Sequence, residues 1–524
     1  MNGSLSLSTV PQEVLEHIAL FTGTDKLLGP PSSLIPLLST NRKIYASLSI
    51  STNYHLYARI FCRKFDTAAP LARLGSAQLT SLALAHELRK RCIVLQRLRA
   101  RLDSTTHARH AQDAEGDRMS VYDVLLTAYV MMLENEDRNK LQLVEYGRMK
   151  EWIREFWFDP HGASLAIYSI RIGQWPLNRS ETALGMWLFW FMLNTDDYEL
   201  GVNDGVESPL NILKAMALGA HIYSLTTISW IDFEPKSRVS VAATVYAEVM
   251  DLTPPPLATP AILSFLALVD RRRLIPMPPS DAPVSQQAVN EWDSEWGRCF
   301  TKSKRDITEC FRPGSIEGVW EGFFTYTEFT AYAAMLAGAS PTTIQKGVVG
   351  RHQQTWKLRE HHLLAADHSD SDSGIAMDVD TDTPLRAGDP LRSYFPTGTQ
   401  LREHREGLIV QDSGSAEVRR YHRASVLQTQ KFGGDQHKPR VKDIIITGEG
   451  HSAWGQFNLV GRVRPCDGFI SLSKDYVDGD RGKWLYRGYL VGNANGNFAG
   501  RWRDTLSPAD VPGYEGCFVM SRRR

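Results

Sequence analysis

The chain has 524 residues, too many for one hydrophobic core, so two or three domains are expected. Its 59 lysines and arginines balance 59 aspartates and glutamates. That balance argues against nucleic acid as a partner, because the basic runs Arg271-Arg272-Arg273 and Arg522-Arg523-Arg524 are short, isolated and read as solvated ends.

Cys62, Cys92, Cys299, Cys310, Cys466 and Cys517 are scattered without Cys-x-x-Cys spacing, which suggests reduced thiols in a cytoplasmic or nuclear protein rather than disulfides or a zinc site. No basic-then-apolar leader opens the chain. The longest apolar run, Gly185 to Leu193, is half of what a bilayer needs and is expected to be a buried helix, not a membrane anchor.

Composition divides this α+β chain into residues 1–66, a helical middle over 67–312, and a β-domain over 313–524 with a polar insertion near 366–390. In the first segment, Pro11 can open a helix where its missing N–H is harmless, and Val14, Leu15 and Ile18 fall on one stripe. Three short helices of this kind make too little core to stand alone. Their apolar face, Pro11, Val14, Leu15, Leu34, Leu37 and Leu38, is expected to want a partner.

The order of sub-motifs here resembles the F-box. Val10-Pro11-Gln12-Glu13-Val14-Leu15-Glu16-His17-Ile18 resembles its opening L-P-x-E-[IVL]-[LW]-x-x-I. Leu34 to Arg42 resembles its central helix, and Leu56-Tyr57-Ala58-Arg59-Ile60 its closing segment. The departures are Val10 for leucine, Tyr57 for tryptophan, and a longer Gly23 to Ser33 loop containing Gly29-Pro30-Pro31. In that family the motif docks on a Skp-type adaptor, and through it on a cullin-RING ubiquitin ligase. The resemblance assigns adaptor binding to Pro11, Glu13, Val14, Leu15, Ile18, Leu34, Leu37, Leu38, Leu56 and Tyr57.

Helical periodicity in the middle segment predicts helices over Leu79–Leu102, Val121–Leu133, Leu141–Trp157, Glu181–Asn194, Leu210–Leu225, Val239–Val249 and Ile262–Arg273. Proline runs at 254–256 and 276–279 separate some of them.

From Val319 onward the pattern changes to a two-residue beat. Trp484, Tyr486, Gly488 and Leu490 share one strand face, while Leu485, Arg487, Tyr489 and Val491 share the other, which is expected to meet solvent or ligand. Eight or nine short strands with Asp-Gly and Asn-Gly turns suit an up-and-down antiparallel barrel. Gly318-Val319-Trp320 resembles the G-x-W of lipocalin-like barrels, so the expected fold is F-box helices, a helical middle and a lipocalin-like barrel. The segment from Ala366 to Pro390, with Asp370-Ser371-Asp372-Ser373, is too polar to repay ordering and is expected to be disordered. Phosphorylation between Asp367 and Thr383 would add negative charge there.

Arg462, Arg487, Arg501 and Arg503 lie opposite the aromatic face. Either they are exterior residues paired with nearby acids such as Asp475, Asp480, Asp504 or Glu515, or some gather at the barrel mouth to grip an acidic peptide. Trp454, Trp484, Tyr486 and Trp502 would then supply a pocket, although core packing is their default role. Substrate binding is thus assigned to Trp320, Trp454, Trp484, Tyr486, Arg487, Arg501 and Trp502.

Catalytic patterns are lacking. Gly450-His451-Ser452-Ala453-Trp454-Gly455 has the wrong spacing for a nucleophile elbow, Glu360-His361-His362 reads as a surface histidine pair, and Asp370-x-Asp372 lacks the rest of a calcium loop. No metal, cofactor or catalytic residue is expected. The expected role is a ligase receptor that binds a protein substrate; the alternatives are a barrel carrier of a small apolar ligand and a scaffold without a free pocket.

Overall fold

A computed structural model of the chain describes residues 10–107, 119–198, 205–225, 232–234, 240–270, 274–275, 291–300, 306–365, 381–413, 417–429, 440–479, 481–492 and 496–523. The protein mixes helices with sheet, in two compact units. One comprises Met1–Leu165, Ala242–Asp251 and Asp281–Asn290; the other comprises Ala166–Val241, Leu252–Ser280 and Glu291–Arg524.

The first unit begins with helices Gln12–Thr24, Leu34–Leu38, Arg42–Leu48 and Tyr54–Lys64. Asn41 and Asn53 start the last two by accepting from the amides of Ile44 and Leu56, which satisfies donors that a helix start leaves open. Asn53 also donates to Glu16 at 2.8 Å, tying the fourth helix to the first. The long Gly23 to Ser33 loop is pinned by Gln142, which accepts from the Gly29 amide at 2.7 Å and donates to the Leu27 carbonyl at 2.9 Å.

Behind these helices stand Ser81–Arg99 and Val121–Leu133, the latter opened by a Ser120/Asp123 capping box. The expected Leu141–Trp157 helix is instead three pieces, Arg138–Leu141, a π-turn at Gln142–Tyr146, and Met149–Phe158.

A correction falls at Val239–Val249, expected as helix. The structure forms a hairpin there, β1 (Val241–Val245) and β2 (Glu248–Leu252), turned by Tyr246 and Ala247 at φ 50° and 64°. Positive φ at both turn residues is the mirror-image turn that strand twist demands. Tyr246 holds the hairpin by donating to Glu134 at 3.0 Å, inside a buried cluster where Arg91 bonds Glu134 at 2.6 Å and Glu87 at 3.1 Å. The Arg91 guanidinium also lies 5.0 Å from the Phe61 ring.

The second unit holds a closed eight-stranded antiparallel barrel. Its strands are β3 (Gly318–Thr327), β4 (Val349–Leu364), β8 (Val441–Ser452), β9 (Gly455–Val463), β10 (Ile470–Tyr476), β11 (Lys483–Val491), β12 (Asn497–Asp504) and β13 (Glu515–Arg522). Each pairs with the next, and β13 returns to β3, which also pairs with β4. Closure leaves no free edge around the ring. The short strands β5 (Gln400–Glu403), β6 (Gly407–Gln411) and β7 (Val418–Arg423) extend the sheet from the far half of β4 through His361↔Arg423.

Inward residues confirm the two-residue beat: Trp320, Trp356, Phe457, Leu472, Tyr486, Leu490, Phe498, Phe518 and Met520 form one core, closed at one end by Ile307, Phe311 and Ile316. Gly488 and Gly500 face each other across β11 and β12; a Cβ on Gly500 would lie 1.9 Å from the Arg487 carbonyl oxygen, so the tight coiling there requires glycine.

The outward face is where expectation fails. Leu485, Arg487, Tyr489 and Val491 are buried like their inward neighbours: Arg298 lies 4.7 Å from the Tyr489 ring and donates to the Leu490 carbonyl, and Arg487 donates to the Pro390 carbonyl of the insertion, while helix Ala258–Val269 packs on β12 and β13. Helix Ser180–Met192, the long apolar run, is buried along nearly its whole length. Among the described residues, no helix is long and apolar enough to cross a membrane.

Of the insertion expected to be disordered, residues 366–380 lie outside the described residues, as does most of the proposed phosphorylation segment. Residues 381–390 are a correction. Leu385 is buried and its carbonyl accepts from Arg462 at 2.6 Å, so apolar burial and a buried cation order a segment whose composition is polar.

Candidate functional site

Strand β10 alternates Ile470, Leu472, Lys474 and Tyr476 toward the barrel interior, which places a lysine where the pattern calls for an apolar side chain. Its strand neighbours are Leu459 on β9 and Trp484 on β11. The lower interior is filled by the core. At the other end the interior opens into a cavity of about 220 Å³, walled by Phe324, Tyr326, Trp454, Tyr476, Trp484, Tyr486, Trp502 and Tyr514 around Lys474.

The walls are set by edge-to-face contacts: Trp484 meets Trp502 at 5.3 Å and 80°, and Trp502 meets Tyr514 at 5.5 Å and 74°. Their polar atoms are already engaged. Trp484 Nε1 donates to the Arg481 carbonyl at 2.9 Å, Trp502 Nε1 to that of Thr325 at 2.8 Å, and the Tyr514 hydroxyl to that of Thr327. Trp454, at the β8–β9 turn, is 40 % exposed and stacks near His352 and Phe324, forming the rim.

Lys474 is 1 % exposed. Its Nζ donates to Gln354 Oε1 at 3.1 Å and lies 3.9 Å from the Phe457 ring centre and 4.8 Å from that of Tyr476. Burial without a paired carboxylate pushes its pKa down to about 7, since removing water penalises the charged form. The neutral amine is therefore far more accessible near neutral pH than in a solvated lysine.

Four of the aromatic residues assigned from sequence meet here: Trp454, Trp484, Tyr486 and Trp502. Trp320 does not, being packed in the lower core with Nε1 donating to the Ile316 carbonyl. Lys474, the most chemically distinctive member, was not anticipated; its signal was a lone lysine on the inward beat.

The arginines are neither solvated nor at the mouth. Arg462 is fully buried, pairs with Asp443 at 2.9 Å, donates to the Leu385 and Arg386 carbonyls, and stacks 4.2 Å from Phe233. Arg487 donates to the Pro390 carbonyl, Arg501 to those of Ala217 and Tyr223, and Arg503 to those of Ser507, Pro508 and Val511. Each guanidinium ties the barrel exterior to its own covering layer; Asp480, one proposed partner, lies outside the described residues.

The expected surface histidines are also buried, because β7 and β8 flank this part of β4 on both sides. His361 Nε2 shares a hydrogen bond with Thr447 Oγ1 at 2.9 Å, and His362 Nε2 one with Glu360 Oε1 at 2.6 Å. Burial lowers the His361 pKa to about 4. The unfolded chain binds that proton from about pH 6.5 downward, so this contribution is intact above pH 6.5 and is lost as pH falls toward 4, in all about 3 kcal/mol. Denaturant unfolding at pH 7 and pH 4.5 should show a steeper loss for the native protein than for His361→Gln; equal losses would contradict this.

A wider cleft of about 670 Å³, lined by Asp270, Arg351, His352, Gln353 and His451, is a weaker candidate. Its Arg351 already donates to the Val269 carbonyl and its Asp270 accepts from the Ile275 amide.

In the first unit, the N-terminal helices present a separate apolar surface. Val14, Ile18 and Phe21 are exposed on one stripe of helix Gln12–Thr24, and Ile35 and Tyr45 are exposed on the two helices packed beside it. Pro11 and Glu13 are exposed and Leu37 and Leu38 are half-buried, whereas Leu15, Leu34, Leu56 and Tyr57 are buried within the unit. Of the six residues expected to form an open face only Pro11 and Val14 are exposed; Leu15 and Leu34 point inward, and Ile18, Phe21, Ile35 and Tyr45 are exposed instead. Compared with known proteins, the chain matches no family model, no curated protein and no solved structure.

Proposed function

We propose that this protein is a substrate-receptor subunit of a Skp-cullin-F-box type ubiquitin ligase. The observation that carries this reading is the stripe Val14, Ile18, Phe21, left in water on a helix whose sequence resembles the F-box opening. Covering a large aliphatic or aromatic side chain is worth about 1.5–3 kcal/mol, so such a stripe favours a second polypeptide. The side facing away from it is anchored internally through Leu15, Leu34 and Leu56, which makes the exposed side a preformed surface. A receptor of this kind acts by proximity, raising the effective concentration of a substrate lysine beside the charged conjugating enzyme. Bond chemistry is left to its partners.

In this reading the lipocalin-like barrel holds the substrate, and its cavity admits one apolar or aromatic group. The cavity itself favours a second reading, a carrier of a small apolar ligand. Affinity purification of the full chain with proteasomal degradation blocked should recover a Skp-type adaptor and a cullin. Val14→Asp/Ile18→Asp should lose both while remaining folded. Recovery of a bound small molecule from the barrel with neither protein present would favour the carrier.

A further inference from the structure

We propose that Lys474 is a covalent anchor for an apolar, ring-bearing aldehyde, which enters the aromatic cavity and condenses with the amine to an imine. Three observations carry this, and none depends on the receptor reading. The amine lines a cavity of about 220 Å³, and since a dry cavity of about 150 Å³ accommodates benzene, a ring with a short chain fits. Its only hydrogen-bond partner among the described residues is Gln354 Oε1, and no carboxylate pairs with it, so the nitrogen is free to react.

The walls offer few other polar partners. The N–H groups of Trp484 and Trp502 and the hydroxyl of Tyr514 are already committed to backbone carbonyls. A ligand's carbonyl that enters is therefore brought to the amine of Lys474.

The step balances. The nitrogen lone pair attacks the aldehyde carbon, the carbonyl π pair moves to oxygen, and the two protons of the neutral amine leave with that oxygen as water, forming C=N with no change of oxidation state. When the imine is protonated, its charge lies among the rings of Phe457, Tyr476 and Tyr486, which already surround the nitrogen. The titratable groups facing the amine are the hydroxyls of Tyr476 on its own strand and Tyr486 on β11, both pushed up by burial, with Tyr326 and Tyr514 further along the wall. The hydroxyls of Tyr476, Tyr486 and Tyr514, all pushed up by burial, stay neutral while the amine titrates near pH 7.

The test is to incubate the full-length protein with cinnamaldehyde at pH 7, reduce with cyanoborohydride, and map the adducts by peptide mass spectrometry. Exposed Lys483 on the neighbouring strand serves as internal control. An ordinary lysine is neutral in only about one molecule in 10³ at that pH, so labelling at Lys474 should exceed that at Lys483 by at least about tenfold. Labelling at Lys474 should reach half its maximum near pH 7. Lys474→Met should remove the preferred adduct. Labelling confined to exposed lysines, or cinnamate binding as well as the aldehyde without any reducible adduct, overturns the proposal. The native peptide map decides even if the variant does not fold.

Discussion

Replacing Lys474 with methionine is expected to stabilise the protein by about 3 kcal/mol at pH 7. The native amine sits among aromatic rings with a single acceptor, and its pKa is held down to about 7 against about 10.4 in the unfolded chain. The unfolded state therefore binds that proton more tightly. The penalty on folding is full at pH 7 and below, shrinks as pH rises, and vanishes near pH 10.4. Methionine fills a similar volume without a charge; leaving Gln354 Oε1 without its donor returns part of the gain. Denaturant unfolding at pH 7 and pH 10 should show the variant ahead at the first and level with native at the second. An advantage that is absent at pH 7, or the same at both pH values, would show that the amine is not strained by burial.

The opposite sign is expected at Arg462. Arg462→Leu removes the cation that pairs with Asp443 and that donates to the Leu385 and Arg386 carbonyls of the insertion and to the Tyr394 carbonyl just beyond it. Breaking a buried pair from one side costs about 3–5 kcal/mol, because the remaining carboxylate keeps its desolvation penalty. Asp443 would retain only its bond from Tyr421 at 2.7 Å and its own neighbouring amide. Residues 381–395 should then become the first site of limited proteolysis. The double change Arg462→Leu/Asp443→Leu should recover part of the loss, since two apolar side chains leave no uncompensated charge. If the double variant is no better than the single, the pair is not the source of the stability.

These two residues also mark how far the sequence could be read. The inward beat of Trp484, Tyr486, Gly488 and Leu490 was legible because alternation is a local property of a strand, and the barrel followed from strands of that kind. What lies against the other side of a strand is not local. Arg462, Arg487 and Arg501 looked like surface residues because nothing near them in sequence announces the carbonyls of Leu385, Pro390 and Ala217 that cover them. The hairpin at Val241–Leu252 was missed because its turn is made by Tyr246 and Ala247 instead of the usual asparagine and glycine, with Tyr246 fixed by the distant Glu134. Trp454, Trp484, Tyr486 and Trp502 were recognised by type, while the alternation that puts Lys474 between Leu472 and Tyr476 on the inward face of β10 went unread.

On the N-terminal helices the apolar stripe opening at Pro11 was visible, but the identity of the exposed side chains was not. Leu15→Asp is therefore a poor probe of docking, since Leu15 is buried and its loss would unfold the helices themselves. Val14, at 47 % exposure, and Ile18, at 38 %, report on the surface alone. Binding of a purified Skp-type adaptor to the full-length protein, measured by titration calorimetry, tests the receptor account most directly. The account predicts saturable binding that weakens by at least about a hundredfold, roughly 2.7 kcal/mol, in Val14→Asp/Ile18→Asp with the fold intact. No binding by the native protein, or equal binding by the folded variant, would contradict it.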